Sequence, residues 1–133
     1  NRIIKNMKME SKFPNNFYVL PFDSDIYSFL PFCEIVISLY STILIEASVL
    51  NIPIIVLNLS KKSNPQPEIV DTGCALVAHN EEELIELINS IYEDKEIIIQ
   101  MKKGRKKFLE IALSPRKSIQ HIVENILSKE FIV

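Results

Sequence analysis

Five side chains in one short stretch of this chain have types and spacing that could do chemistry together: Ser38, Tyr40, Ser41, Thr42 and Glu46, within EIVISLYSTILIEASVLNIPIIVLNL from Glu34 to Leu59. The first four fall where an apolar run gives way to a helical pattern. There, hydroxyls and the first amides of a helix would share one small volume. Those amides lack intrahelical acceptors and sit at the positive end of the helix dipole, so they favour an anion such as a phosphate or diphosphate. Ser41 also has an alternative reading, as an ordinary helix cap. Neither GxGxxG nor GxxxxGK[ST] accompanies the turn, which argues against oxidoreductase and NTPase classes.

Glu46 is sharper, because the pattern from Thr42 to Leu50 is otherwise Ile, Leu, Ala, Ser and Val. Its nearest polar companion, Ser48, is two residues on and therefore about 200° round a helix, so the two do not build one solvent face. The helix is expected to be buried on most sides. Helical side chains lean toward the N-terminus, so the Glu46 carboxylate would reach back toward Thr42, where it could accept from the hydroxyls of a ribose held beside a diphosphate. Solvent exposure at a gap in the packing is the alternative for Glu46.

These residues need a βαβ unit to position them. Ile35 to Ser38 reads as a strand and Thr42 to Leu50 as a helix, with Pro53 then leading into a continuous apolar strand, Ile54 to Leu59, of the kind buried on both faces of a parallel sheet. Upstream, Arg2 to Met9 has helical spacing, Phe17 to Leu20 reads as a strand ended by Pro21, and Asp23 or Ser24 would cap a short helix carrying Ile26, Phe29 and Leu30 that Pro31 stops. Downstream, Ser60 to Pro67 is a polar loop, Glu68 to Asp71 a helical turn ended by Gly73, and Ala75 to Ala78 a fourth short strand. Asn80 and Glu83 open a helix with an apolar stripe of Leu84, Leu87, Ile88 and Ile91. Asp94 caps the next, which buries Ile97, Ile98, Met101, Phe108 and Leu109 and is weakened by Gly104 by up to about 1 kcal/mol. Ser114 and Pro115 restart a last helix, with Ile119, Ile122, Val123, Ile126 and Leu127 on its buried side. This alternation predicts an α/β fold, a Rossmann-like open parallel sheet with helices on both faces, and one domain spanning residues 1–133.

Composition narrows the function classes. A formal net charge of -2 gives no global attraction to nucleic acid. Cys33 and Cys74 stand apart, without the paired spacing of a zinc or redox motif, and are expected to be reduced core thiols; no metal site is indicated. Glu46, Asn51 and Pro53 interrupt the longest apolar stretch before it reaches the ~20 residues of a membrane span. The chain opens on Asn1 in what reads as mid-helix, so a fragment is expected.

The segment ISLYSTILIEASVLNIPIIVLNL resembles the nucleotide-sugar signature in the C-terminal lobe of GT-B glycosyltransferases and the related UDP-N-acetylglucosamine 2-epimerases: strand, Ser/Thr/Gly turn, helix with a ribose-binding Glu, Gly-x-Pro, strand. NFYVLPFDSDIYSFLPFCEIVIS and DTGCALVAHNEEELIELINSIYED are similar to the flanking parts of that lobe, so the likeness in layout covers most of the chain. By this resemblance Ser41 and Thr42 would hold the diphosphate, Glu46 the ribose, and Leu20, Pro21 and Phe22 the base; Ser38 and Tyr40 would assist. Asn51 replaces the usual Gly before Ile-Pro, a position Asn can still fill in the left-handed conformation. The turn lacks glycine, unlike the Ser-Gly-Gly type of the epimerases, which favours a transferase over an epimerase.

The resemblance implies a donor-binding lobe lacking its first one or two strands, with an exposed sheet edge that could promote self-association. The acceptor and the catalytic base would lie in a separate N-terminal lobe, so no catalytic residue is named and this chain alone is expected to be inactive. A nucleotide-sugar would be substrate rather than cofactor, and the location cytoplasmic, at the inner face of a membrane if the basic cluster Lys102, Lys103, Arg105, Lys106 and Lys107 meets anionic lipid. A solvated helix face is the alternative for that cluster, which has no interleaved aromatics to bind nucleic acid. His79, at the carboxyl end of the fourth strand, could approach the cleft; it and His121 are otherwise read as structural. A polyol-phosphate transferase shares the same donor lobe, and a non-enzymatic α/β module is the alternative of another class.

Overall fold

The computed structural model describes residues 15–60, 62–64 and 66–114. The helix expected over Arg2 to Met9 and the one expected beyond Ser114 lie outside them. By its internal contacts the chain divides into two units, meeting between Leu30 and Pro31.

In the first unit, Phe17 to Leu20 forms no strand. Phe17 and Tyr18 are 48% and 82% exposed. This corrects the sequence reading, and the reason is that β-propensity is realised only against a pairing neighbour and a face to pack on. The short helix is likewise replaced by two 3-10 turns, Ile26–Ser28 and, across the boundary, Leu30–Phe32. Asp25, rather than Asp23 or Ser24, caps the first of them, its carboxylate accepting from the Tyr27 amide at 3.0 Å and the Ser28 hydroxyl at 2.7 Å.

The second unit is α/β. Its elements run β1 (Val36–Ser38), α1 (Ile43–Val49), β2 (Ile54–Leu57), α2 (Pro67–Asp71), β3 (Leu76–Ala78), α3 (Glu81–Glu93) and α4 (Lys95–Ala112). Among the described residues the sheet has three strands in the order β1-β2-β3, both pairs parallel, with Val36 opposite Ile54 and Ile55 opposite Leu76. The strand order is consistent with a Rossmann-like layout. β2 is the centre, and its consecutive residues Ile54, Ile55 and Val56 are all buried, which alternating side chains achieve only when both faces are covered. Ile55 and Ala78 pack with Ile91 of α3 and Met101 of α4, joined by Leu84, Leu87 and Ile88, so the stripe read from sequence does face the sheet. Among the described residues β1 is an edge, and its central Ile37 is 42% exposed.

The helix ends follow local chemistry. Asn51 takes φ 64°, and Ile52 N–H donates to Ala47 O at 3.0 Å while Asn51 N–H donates to Ser48 O at 3.2 Å, closing α1 with the left-handed turn that glycine usually supplies. α2 ends similarly at Gly73, φ 78°. Asn80 opens α3 reciprocally: its Oδ1 accepts from the Glu83 amide and its Nδ2 donates to Glu83 Oε1, both at 2.8 Å. Asp94 caps α4, accepting from the Glu96 amide at 2.8 Å.

Gly104 is not a weak point of α4. It is buried where the helix crosses the end of α2, and a Cβ built on it would lie 2.2 Å from the carbonyl carbon of Gly73 and 2.5 Å from Thr72 O. The missing side chain is what lets the two backbones touch. Beyond this crossing, Phe108, Ile111 and Ala112 line a cavity of about 290 Å³ with Ile45 of α1, Ile69 of α2 and the polar Gln66 and Glu68.

The cysteines separate. Cys74 is buried, and burial pushes its thiol up to about 11, with the nearby Arg105 charge pulling weakly the other way. Cys33 is exposed, which corrects the expectation of two core thiols. Native protein should therefore react quickly with a thiol reagent at one site, lost in Cys33→Ser, and at the second only on unfolding. A fast phase that survives Cys33→Ser would contradict this placement. Because Cys74 is harder to ionise folded than unfolded, stability should fall as pH rises from about 9 toward 11, and this decline should vanish in Cys74→Ala.

Candidate functional site

Parallel strands place their carboxyl ends on one edge, where ligands of open α/β sheets bind. Here that edge carries Ser38 at the end of β1, Asn58 after β2 and His79 after β3. The register pairs Ser38 with Val56 and Leu57 with Ala78, so Asn58 and His79 are level, two residues beyond the Ser38 row and one strand spacing, about 5 Å, apart.

The β1–α1 turn gathers Ser38, Tyr40, Ser41 and Thr42 in five consecutive positions at this edge, as read from sequence. Ser38 and Ser41 are half-buried, while Thr42 and Tyr40 are exposed. Ser41 Oγ accepts from the Ile43 amide at 3.3 Å, so the capping role is the one its hydroxyl fills. Thr42 begins α1 and its side chain makes no capping bond. Its carbonyl accepts from the Ile45 and Glu46 amides at 2.9 and 3.3 Å.

Glu46 lies one turn into α1 and is half-buried. The helix buries Leu44, Ala47 and Ser48 but leaves Val49 and Leu50 about half exposed, so it has an open flank where the sequence suggested burial on most sides. Ser48, fully buried, donates its hydroxyl to Ile45 O at 2.6 Å and is satisfied within the helix.

Leu20, Pro21 and Phe22 belong to the first unit. Pro21 O accepts from the Ser24 amide at 3.1 Å in a turn that leaves Phe22 fully exposed.

Sequence reasoning missed Asn58. It is 1% exposed, and every polar group it carries is engaged: Nδ2 donates to Lys62 O at 2.8 Å and Asn64 Oδ1 at 2.9 Å, Oδ1 accepts from Ser60 Oγ at 2.9 Å, and its N–H donates to Ala78 O at 2.8 Å. Its carbonyl lies 2.9 Å from His79 Nδ1. A carbonyl only accepts, so Nδ1 carries the proton and the neutral ring keeps an unprotonated Nε2. The His79 amide donates to Glu83 Oε2 at 2.8 Å, holding the residue from its other side. The buried side-chain amide thus ties the loop after β2 together, while the backbone carbonyl of the same residue holds His79 after β3. The available signal was a polar residue ending an otherwise unbroken apolar run.

Among the described residues no group of three or more His, Cys, Asp or Glu side chains could hold a metal ion, and no helix is long and apolar enough to cross a membrane. In the basic cluster, Lys102, Lys103, Lys106 and Lys107 are exposed and Arg105 is half-buried. No family model, curated protein or solved structure matches this chain.

Proposed function

We propose that this chain provides the nucleotide-diphosphate-sugar binding lobe of a glycosyltransferase that builds a surface polysaccharide or glycoconjugate. The observation that carries the reading is the parallel β1–α1–β2 unit, whose hydroxyl-bearing turn lies at the carboxyl edge with Glu46 one helical turn behind it. In this reading the diphosphate meets Ser41 and Thr42 at the start of α1, with Ser38 and Tyr40 assisting; Ser41 Oγ accepts from the Ile43 amide and keeps its own O–H to donate, and Glu46 accepts from the ribose. The acceptor and catalytic base come from a separate lobe, so the chain by itself binds and does not turn over. The compartment that goes with this reading is the cytoplasm.

A 2-epimerase or polyol-phosphate transferase would use the same donor contacts with different partner residues. The cap made by Ser41 favours one rival of another class, a non-enzymatic α/β module in which the turn only starts a helix.

Calorimetric titration with UDP, CDP, GDP and their sugars tests the reading. Binding of one nucleotide class is the expected result, and Glu46→Ala should weaken it about tenfold to a hundredfold, the worth of a hydrogen bond to a charged acceptor. No binding by folded protein, with its complementary lobe supplied, would leave the non-enzymatic module. Unchanged affinity in a folded Glu46→Ala variant would remove Glu46 from the site.

A further inference from the structure

Helix α4 concentrates charge that the chain as a whole does not carry. Between Lys95 and Ala112 it has six basic residues against two acidic ones, in a protein whose formal net charge is -2. At 100° per residue, Lys95, Ile99, Lys102 and Lys106 fall on one narrow stripe of the helix, opposite the buried Met101, Gly104 and Phe108. Ile99 remains 45% exposed among the lysines. Beside this stripe runs a groove of about 350 Å³, lined by Ile91 and Tyr92 of α3 and Lys95, Ile98, Ile99 and Lys102 of α4. Its floor is apolar and its rim carries two ammonium groups. Lys95 and Lys102 are two helical turns apart, about 10.5 Å along the axis, within reach of one headgroup for side chains of their length. Tyr92 donates its hydroxyl to Glu34 at 2.5 Å, so that carboxylate is engaged by the phenol, and Asp94, next to Lys95 in sequence, accepts from the Glu96 amide as the helix cap; among the described residues no carboxylate lines the groove. Glu96 is about 100° round the helix from Lys95 and does not line the groove.

A fully hydrated phosphate would gain nothing from the isoleucine floor, and a purely apolar ligand would leave the lysines unused. An anion attached to an acyl chain uses both. We propose that the α3–α4 groove is a peripheral membrane-docking site that seats one anionic phospholipid of a bilayer surface. The phosphate sits between Lys95 and Lys102, and the first methylenes lie along Ile91, Ile98 and Ile99. Lys103 and Lys106 add longer-range attraction to the same surface. This inference does not depend on donor binding at the carboxyl edge, since it uses neither the β1–α1 turn nor Glu46.

The test is flotation of the full chain with vesicles of phosphatidylcholine alone and of phosphatidylcholine mixed with phosphatidylglycerol. Binding to the anionic vesicles only, weakened as salt shortens the Debye length below about 10 Å, is expected. Lys95→Glu with Lys102→Glu should reduce partitioning at least about tenfold. Ile99→Asp should reduce it with all lysines present. Lys103→Glu with Lys107→Glu, the same change of charge outside the groove, should cost clearly less. Equal losses from the two pairs, equal binding to neutral vesicles, or no binding to either would each overturn the proposal. So would inorganic phosphate that shifts the Ile99 and Lys102 NMR signals as far as anionic lipid does, because that identifies a simple anion site. All five substituted positions are exposed, and thermal melts should show the variants folded.

Discussion

Gly104→Ala is expected to be the most damaging single-methyl change in this protein, costing about 3 kcal/mol or more and leaving little folded domain at moderate denaturant. Helix propensity alone argues the other way, since alanine in a helix interior is worth about 1 kcal/mol over glycine. Packing decides the sign. The new Cβ would sit 2.2 and 2.4 Å from the carbonyl carbon and oxygen of Gly73 and 2.5 Å from Thr72 O, and these are backbone atoms of a helix end that cannot swing aside. Relief would require α4 to lift from α2, opening the cavity below Phe108 and pulling on Met101 in the core. Gly73→Ala is the matched control. A Cβ there meets nothing closer than Gly104 Cα at 3.9 Å, so its cost is limited to holding alanine at φ 78°, about 1–2 kcal/mol. Urea unfolding of both variants checks the ranking. A Gly104→Ala protein as stable as the parent would mean that α4 does not make this approach.

Asn58→Ala should produce the second large effect, about 2–4 kcal/mol of destabilisation with a loosened carboxyl edge. The substitution removes the partner of Lys62 O, Asn64 Oδ1 and Ser60 Oγ at once, in a residue 1% exposed. Water cannot replace these bonds without entering beside the buried β2 residues. Asn58→Asp should be no better, because a carboxylate would face two acceptors where the amide now donates. Faster amide exchange around Ser60, Lys62 and Asn64, with the β2 core still protected, would separate local loosening from global unfolding. Unchanged exchange and stability would show that the rim is not held by this amide. If the carboxyl edge binds a nucleotide, the same variant should weaken binding although its own side chain faces inward.

Much of the architecture was legible because it rests on local chemistry. The apolar run of β2, the Asn80/Glu83 box, the Asp94 cap, the Gly73 stop and the stripe on α3 each have one dominant physical cause within a few residues, and each stands where that cause puts it. The hydroxyl turn was legible for the same reason. Phe17 to Leu20 was misread because a strand is a relation between two segments, and its own residues report only half of it. Cys33 was misread because the absence of a paired spacing excludes a metal or redox motif but says nothing about burial.

The division between sequence and tertiary structure follows from the range of the forces involved. Periodicity and capping act over one or two turns, so the sequence by itself determined the α/β alternation, the three parallel strands of the second unit and the placement of Ser38, Tyr40, Ser41, Thr42 and Glu46 around one strand-to-helix turn. Close packing and buried hydrogen bonds join residues distant in the chain. Only the tertiary structure could show that Gly104 is a contact rather than a flaw, that the Asn58 side chain holds the loop after β2 while its carbonyl sets the tautomer of His79, that Ser41 accepts a helix amide as a cap, and that two lysines of α4 flank an apolar groove built with α3.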